Sequence, residues 1–400
     1  MKNAMTKTVL TVLVGLLISI SSFGQWTAAE QKAVTKSVDL YKKGKYDKAI
    51  STISKVQNAH PLDGTLWTDR VIYEHDRYNA EYNKIIMTLS KQISAGKSVK
   101  INTDKLTSYK VSMLVACMQA TMYAKKQELA SSILRNYLVD PAVDTAVNDD
   151  AKDHYNDGDK EYGNENWNGA IKEYKKALAK DSNYYNATYS IGMAYYKNSD
   201  YEQAIPWFKK AIRIEPRMAS SYITCADCFI ELKQWENAKN MCIDGIIIYP
   251  EVTFFEKLEQ CADKMDKTFD SHWQERVTFP NNITLTQSTV DFGPFQYYRA
   301  AKDKIADNCN DDGIVTKTAS FTEQKYLESY SWEYMLKKST SDDEKDYPEM
   351  EFARKMQTAG YLDCYCFVSC YHVNFNTQYQ DFSKKNADRI RTYINTYLFK

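Results

Sequence analysis

The sequence predicts an all-α chain, a solenoid of repeated helix pairs followed by a C-terminal, mainly helical module. Two observations carry that prediction. Self-comparison at a spacing of 34 residues superimposes three consecutive segments that begin at Ala151, Tyr185 and Ala219, and this period belongs to a two-helix unit. Beyond them, apolar residues recur at helical spacing through most of the remaining chain.

Residues 1–24 read as a secretory signal peptide. Lys2 and Lys7 form a basic start, Val9 to Ile20 an apolar stretch, and Ser22-Phe23-Gly24 a small-x-small run before Gln25. The apolar stretch is shorter than the ~20 residues a membrane span needs, so cleavage before Gln25 is expected, with export to the periplasm or cell surface and no membrane-spanning segment left. No cysteine stands near the cleavage point to take a lipid. The full chain balances 52 basic against 52 acidic side chains. Lys and Glu are interspersed along the chain with no basic stripe, which argues against nucleic acid as a partner. Nine cysteines leave at least one unpaired, and their scatter marks them as small core residues rather than a disulfide framework.

Residues 25–150 are expected to be divergent, repeat-like helices. Gly44, Tyr46, Ala49, Ile53 and Pro61 keep the offsets of a second helix of the repeat; a long helix follows over Leu66 to Ile93, then a linker around Gly96 to Thr103. A further hairpin over Val111 to Tyr137 departs from the pattern at Met118 and Gln127, and the polar, acidic segment Pro141 to Asp153 reads as a boundary.

Residues 151–252 hold the three clean copies. The middle one reads Ile191-Gly192, Tyr195, Tyr201, Ala204, Phe208, Ala211 and Pro216; the first supplies Gly158, Tyr162, Trp167, Ala170, Tyr174 and Ala177; the third supplies Cys225-Ala226, Phe229, Trp235, Ala238, Cys242 and Pro250. Small residues stand where antiparallel helices must cross closely, aromatic ones fill the adjoining groove, and proline stops the second helix. This pattern resembles the tetratricopeptide-repeat family. The resemblance implies that the first helix of each unit lines a groove, presenting Tyr155, Asn156, Asp159 and Tyr162 from the first copy. The second adds Tyr189, Ser190, Met193, Tyr196 and Lys197, and the third Thr224, Asp227 and Glu231. Family members that grip a C-terminal carboxylate use Lys, Arg and Asn at positions that here hold Tyr155, Asp159, Ser190, Ser220 and Thr224. The expected partner is therefore a protein or extended peptide of neutral or basic character, with a glycan stacked on the tyrosine rings as a further reading. Tyr155, Tyr189 and Tyr196 are expected to be half-exposed and cheap to truncate.

Residues 253–278 are expected to cap the array through an amphipathic helix over Phe254 to Phe269, burying Phe255, Leu258, Cys261, Ala262 and Met265. In residues 279–400 the module starts with an extended connector near Val277 to Phe292. Helices follow over Phe295 to Asn308, Thr322 to Lys337, Glu349 to Tyr371 and Tyr379 to Leu398, with an acidic loop over Ser339 to Pro348.

No catalytic signature of the hydrolase-elbow, phosphate-loop or zinc-protease type occurs, so no catalysis and no cofactor or metal are expected. The rival reading places an enzyme or metal module after Ser271, using His372 with Glu328 or Glu333. Cys225 and Cys228 sit three apart on one helix, too far for a bridge, which makes Cys242 the better partner for Cys225. Cys364, Cys366 and Cys370 lack a fourth ligand at zinc spacing. Asn308 to Gly313 starts like a calcium loop but has Ala319 where the final carboxylate is required.

Overall fold

The computed structural model describes residues 26–60, 63–94, 103–123, 128–139, 149–270, 296–298, 300–301, 314–315, 325–340, 342 and 347–400. The signal segment, the connector Val277 to Phe292 and the calcium-like stretch Asn308 to Gly313 lie outside these residues, as do the linker Gly96 to Ile101 and most of the segment Phe295 to Asn308. The chain forms two compact units, Met1–Leu134 and Arg135–Lys400.

The first unit contains helices α1 (Ala28–Lys42), α2 (Tyr46–Ala59), α3 (Gly64–Ser94), α4 (Asp104–Tyr123) and α5 (Glu128–Leu134). Helix α1 starts on a capping box: the Thr27 side chain accepts from the Glu30 amide, and the Glu30 carboxylate takes the Thr27 amide at 2.7 Å. Gly44, with φ +67, turns α1 into α2. Trp26, Val34, Ala49, Ile53, Val56, Leu66 and Tyr73 make the core of this pair and the start of α3. Helix α4 begins well before the expected Val111, directly after the linker.

The second unit opens with a π turn, Arg135–Val139. Three helix pairs follow: α6 (Asp149–Gly163) with α7 (Trp167–Lys180), α8 (Tyr185–Lys197) with α9 (Tyr201–Ile214), and α10 (Ala219–Glu231) with α11 (Trp235–Ile248). The expected boundary Pro141 to Asp153 overlaps helix, because Asp149 and Asp150 already stand in the first turn of α6, where acidic side chains favour the helix dipole. The signature residues pack as their sizes require. A Cβ on Gly192 would lie 2.8 Å from the Phe208 ring, and one on Gly158 would lie 2.5 Å from that of Tyr174. Ala170, Ala177, Ala204, Ala211 and Ala238 are wholly buried.

Each pair turns through one residue in the left-handed region: Glu165, Ser199 and Lys233, 34 residues apart. Each turn closes with the same backbone bond, from Asn166 to Glu161, Asp200 to Tyr195 and Gln234 to Phe229. Side-chain residues pay roughly 1–2 kcal/mol for this conformation. Ser199→Gly should therefore stabilise the array, by about 0.5 kcal/mol once the greater freedom of unfolded glycine is subtracted. An unchanged or lower urea midpoint would show that the turn is not strained.

Helix α12 (Val252–Lys264) ends through the same device, with Asp266 left-handed and the Lys267 amide bonded to the Ala262 carbonyl. It is thus built like the first helix of a fourth unit. Phe255, Leu258, Cys261 and Ala262 are buried as expected, whereas Met265 is half-buried and the helix ends at Lys264 rather than at Phe269. Phe269 instead pairs with Phe399, and Thr268 and Lys400 exchange two 2.8 Å backbone bonds.

The C-terminal region is not packed as a module of its own. A two-residue antiparallel pair, β1 (Ile314–Val315) with β2 (Lys325–Tyr326), precedes α13 (Leu327–Lys338) and α14 (Pro348–Ala359). The single helix expected over Glu349 to Tyr371 is broken at Gly360, φ +76, and resumes as α15 (Leu362–Cys364) and a π turn, Tyr365–Ser369. Helix α16 (Asn376–Tyr393) runs into a second π turn, Ile394–Leu398. Pro250 has no N–H to bond the Ile246 carbonyl four residues back, and the Tyr379 hydroxyl donates to it instead. Gln380 donates to the Ile248 carbonyl at 2.7 Å, and Arg391 pairs with Asp244. One core consequently joins Phe229, Cys242 and Phe254 to Trp332, Phe367, Phe382 and Tyr393.

Candidate partner-binding face

The first helices α6, α8 and α10 meet side by side, and tyrosines join them. Tyr155 on α6 lies 3.5 Å from the Ser190 hydroxyl on α8. Tyr189 on α8 donates to Thr224 on α10 at 3.1 Å, since the Thr224 proton is already given to the Ser220 carbonyl at 2.9 Å. Tyr185 and Ser221 make a third rung at 2.8 Å. Hydroxyls thus stitch each first helix to the next at a near-constant sequence spacing.

This stitching corrects part of the expected site. Tyr155 and Tyr189 are half-buried, as expected, but they are not cheap to truncate: Tyr155 rests against the rings of Tyr174 and Tyr184, and Tyr189 against Phe208. Burial raises the Tyr155 phenol above its ordinary pKa. Thr224 is only 9% exposed and belongs to the helix interface rather than to an open groove. Ser190 is half-buried beneath Tyr155.

The remaining predicted residues form the accessible part of the face. Asn156, Asp159 and Lys197 are exposed, while Tyr162, Met193, Tyr196 and Asp227 are half-buried. Asp159 accepts the Tyr174 hydroxyl at 2.8 Å, which fixes its carboxylate at the surface. Burial, followed by the negative fields of Asp227 and Glu231, pushes the Tyr196 phenol up to about 12. The aromatic end of the face is therefore flanked by carboxylates. Two contributors were missed: Asn186, half-exposed on α8, and Lys257 on α12, which pairs with Asp227. The signal for Lys257 was available, because α12 repeats the first-helix register one residue short.

The rival C-terminal site is occupied by structural bonds. Glu328 Oε1 accepts from the Tyr298 hydroxyl at 2.6 Å and from the Trp332 indole at 3.2 Å, and His372 is buried. Among the described residues no group of three or more His, Cys, Asp or Glu is placed to hold a metal ion. Eight cysteines are described, all buried, and no disulfide joins Cys225 to Cys242 or any other two of them. Burial raises the thiol pKa of Cys225 to about 12 and that of Cys261 to about 11. Among the described residues no helix is long and apolar enough to cross a membrane.

Residues 163–243 match the family described as anaphase-promoting complex, cyclosome, subunit 3. No curated protein matches the chain. Among solved structures, it is similar to the first TPR of Spaghetti bound to an HSP90 peptide, at 16% identity over 29% of this chain and 94% of that one, with a TM-score of 0.28. The TPR2AB-domain:pHSP90 complex of yeast Sti1 matches at 16% identity over 59% and 97%, TM-score 0.26. The type IV pilus biogenesis factor PilW matches at 13% identity over 60% and 88%, TM-score 0.27. With the 34-residue register and the signature residues packed at each crossing, residues 151–252 form three helix pairs of the tetratricopeptide type, and the family match over residues 163–243 falls inside them.

Proposed function

We propose that this protein is an exported scaffold of the cell envelope that holds an extended, neutral or basic segment of a partner protein on its first-helix face. The observation that carries this reading is the strip left open once the tyrosine rungs are made. Asn156, Asp159, Met193, Tyr196 and Lys197 remain accessible on adjacent helices, with carboxylates at both ends of the strip. An amphipathic ring such as Tyr196 contributes apolar area and keeps a polar tip for the partner. The carboxylates favour a cationic or neutral chain over an acidic one. The basic, apolar and small-x-small series of residues 1–24 supports export.

Capture of the partner from a native envelope fraction, followed by affinity measurement, tests the reading. Tyr196 touches Tyr201 but makes no rung to the next repeat, so Tyr196→Ala should leave the melting curve nearly unchanged. Partner affinity should fall about tenfold or more, as for aromatic interface anchors losing about 2 kcal/mol. Full affinity in the folded variant would move the binding surface off this face.

A further inference from the structure

Lysine and glutamate are interspersed in the sequence, but folding gathers cations on the second helices of the first two repeats. Helices α7 and α9 hold seven basic side chains against two acidic ones, Glu173 and Glu202. Lys176 is spent on Glu173 at 2.7 Å and Lys180 on Asp150 at 3.2 Å. Lys172, Lys175, Lys209 and Arg213 are exposed and Lys210 is half-buried, and none of these five makes an ion pair among the described residues. Glu202 stands in the first turn of α9, about two turns before Lys209, where it favours the helix dipole. Lys175 and Lys209 hold the same place in consecutive repeats. The Lys175 ammonium lies 6.0 Å from the ring of Tyr195 and that of Lys209 lies 5.3 Å from the ring of Phe229, each ring on the first helix of the next repeat. Lys175 and Lys210 also converge on one ring, that of Trp207, at 5.8 and 5.6 Å. In the third repeat the place of Lys175 and Lys209 is taken by Ile243, buried in the core that joins the array to the C-terminal region. Lysine thus recurs where the face is open and gives way to an apolar residue where it is covered.

We infer that the face formed by α7 and α9 rests on an anionic lipid surface. Charge complementarity carries the inference, and the kind of cation selects the occupant. Four of the five unneutralised groups are lysines, compact point charges on flexible stems, which suit a diffuse negative field; a particular anionic peptide is better read by the planar fork of arginine. The cations are spread over two neighbouring helices rather than drawn out along one line, as a sheet of headgroups requires. Their stems lie against aromatic rings while the ammonium heads stay at the surface. No large apolar side chain is exposed on either helix, so the contact is electrostatic adsorption without insertion. The full chain is balanced in charge, so the attraction belongs to this face rather than to the molecule as a whole. The first-helix face takes no part in it, and the partner proposed there stands or falls separately.

Co-sedimentation of the purified chain with vesicles tests the inference. Vesicles of phosphatidylglycerol and phosphatidylcholine in equal parts should carry the wild type down, and vesicles of phosphatidylcholine alone should not. Binding should fade as salt is raised, because screening shortens the reach of charge from about 10 Å at 0.1 M to about 3 Å at 1 M. Each cation near an anionic surface strengthens adsorption about fivefold. Lys175→Gln, Lys209→Gln and Lys210→Gln together should therefore weaken binding about a hundredfold. Lys172→Gln with Arg213→Gln, which disturbs no ring contact described above, should weaken it at least about tenfold and keeps the test open if the triple variant does not fold. A control of equal charge change on the other compact unit, Lys42→Gln, Lys43→Gln and Lys45→Gln, should bind as the wild type does. The inference is overturned if anionic vesicles leave the wild type in solution at low salt, or if both vesicle types bind it equally. Full binding by folded variants of α7 and α9, or an equal loss in the control, overturns it too. Retention of the chain by immobilised polyglutamate or duplex DNA, with no sedimentation on vesicles, would assign the face to a soluble polyanion and discard the lipid surface.

Discussion

Glu74→Ala is expected to cost the N-terminal unit about 3–5 kcal/mol, because it leaves two guanidinium groups in a site built around one carboxylate. Glu74 is fully buried. Its Oε1 accepts from Arg70 at 2.7 Å and from the Ser112 hydroxyl at 2.9 Å, and its Oε2 accepts from Arg77. Arg77 continues to Asp47 at 3.1 Å and lies 3.9 Å over the ring of Tyr109. One carboxylate thereby ties α2, α3 and α4 together. Glu74→Gln should cost less, since the amide oxygen still accepts from one arginine while its NH₂ faces the other. Replacing Glu74, Arg70 and Arg77 together by methionine should recover most of the loss, because buried ion pairs are often replaceable by apolar groups of similar volume. Urea titration followed by hydrogen exchange resolves the units and reads each case. A Glu74→Ala variant within 1 kcal/mol of wild type would mean that water already compensates these charges.

Nothing in the sequence pointed to Glu74, and the reason is physical. A glutamate at four-residue spacing from an arginine reads as a solvated helix face, and burial depends on α4, which reaches it from nearly forty residues away. The repeats were legible because the same local solution is written three times, so small and aromatic residues recur where two helices cross, at Gly158 with Tyr174 and at Gly192 with Phe208. Their turns were not, since Glu165, Ser199 and Lys233 are not residues that advertise a left-handed conformation. In the C-terminal region, periodicity found the helices but missed the break at Gly360 and the π turns. It also missed the attachment to α11, which depends on bonds such as Tyr379 to Ile246 across 133 residues. On the candidate face, register placed Tyr155, Tyr189 and Tyr196 on the first helices of their pairs, where the structure has them. It did not show that Tyr155 and Tyr189 are committed to neighbouring repeats, because that depends on a hydroxyl standing opposite each in the next unit.

Phe208→Ala should destabilise the array by about 3–5 kcal/mol, the range for removing a buried aromatic ring whose surroundings cannot collapse. The ring is fully buried and fills the space left by Gly192, where a Cβ would come within 2.8 Å of it, and it supports Tyr189 at a centroid distance of 5.5 Å. Gly192→Ala alone should cost about 1–3 kcal/mol, because the new methyl presses on a ring that core neighbours hold in place. The two changes touch the same space, so they should not add: with the ring gone, the alanine methyl fills part of the cavity and the double variant should be more stable than the sum predicts, by about 0.5–3 kcal/mol. Urea midpoints of the four proteins complete the cycle. Loss of the Tyr189 support should also loosen the Tyr189 to Thr224 rung, visible as faster amide exchange in α10 than in α6. Strict additivity, or a Phe208→Ala variant unfolding at the wild-type midpoint, would show that the ring is not seated against Gly192 and would remove the helix crossing on which the repeat assignment depends.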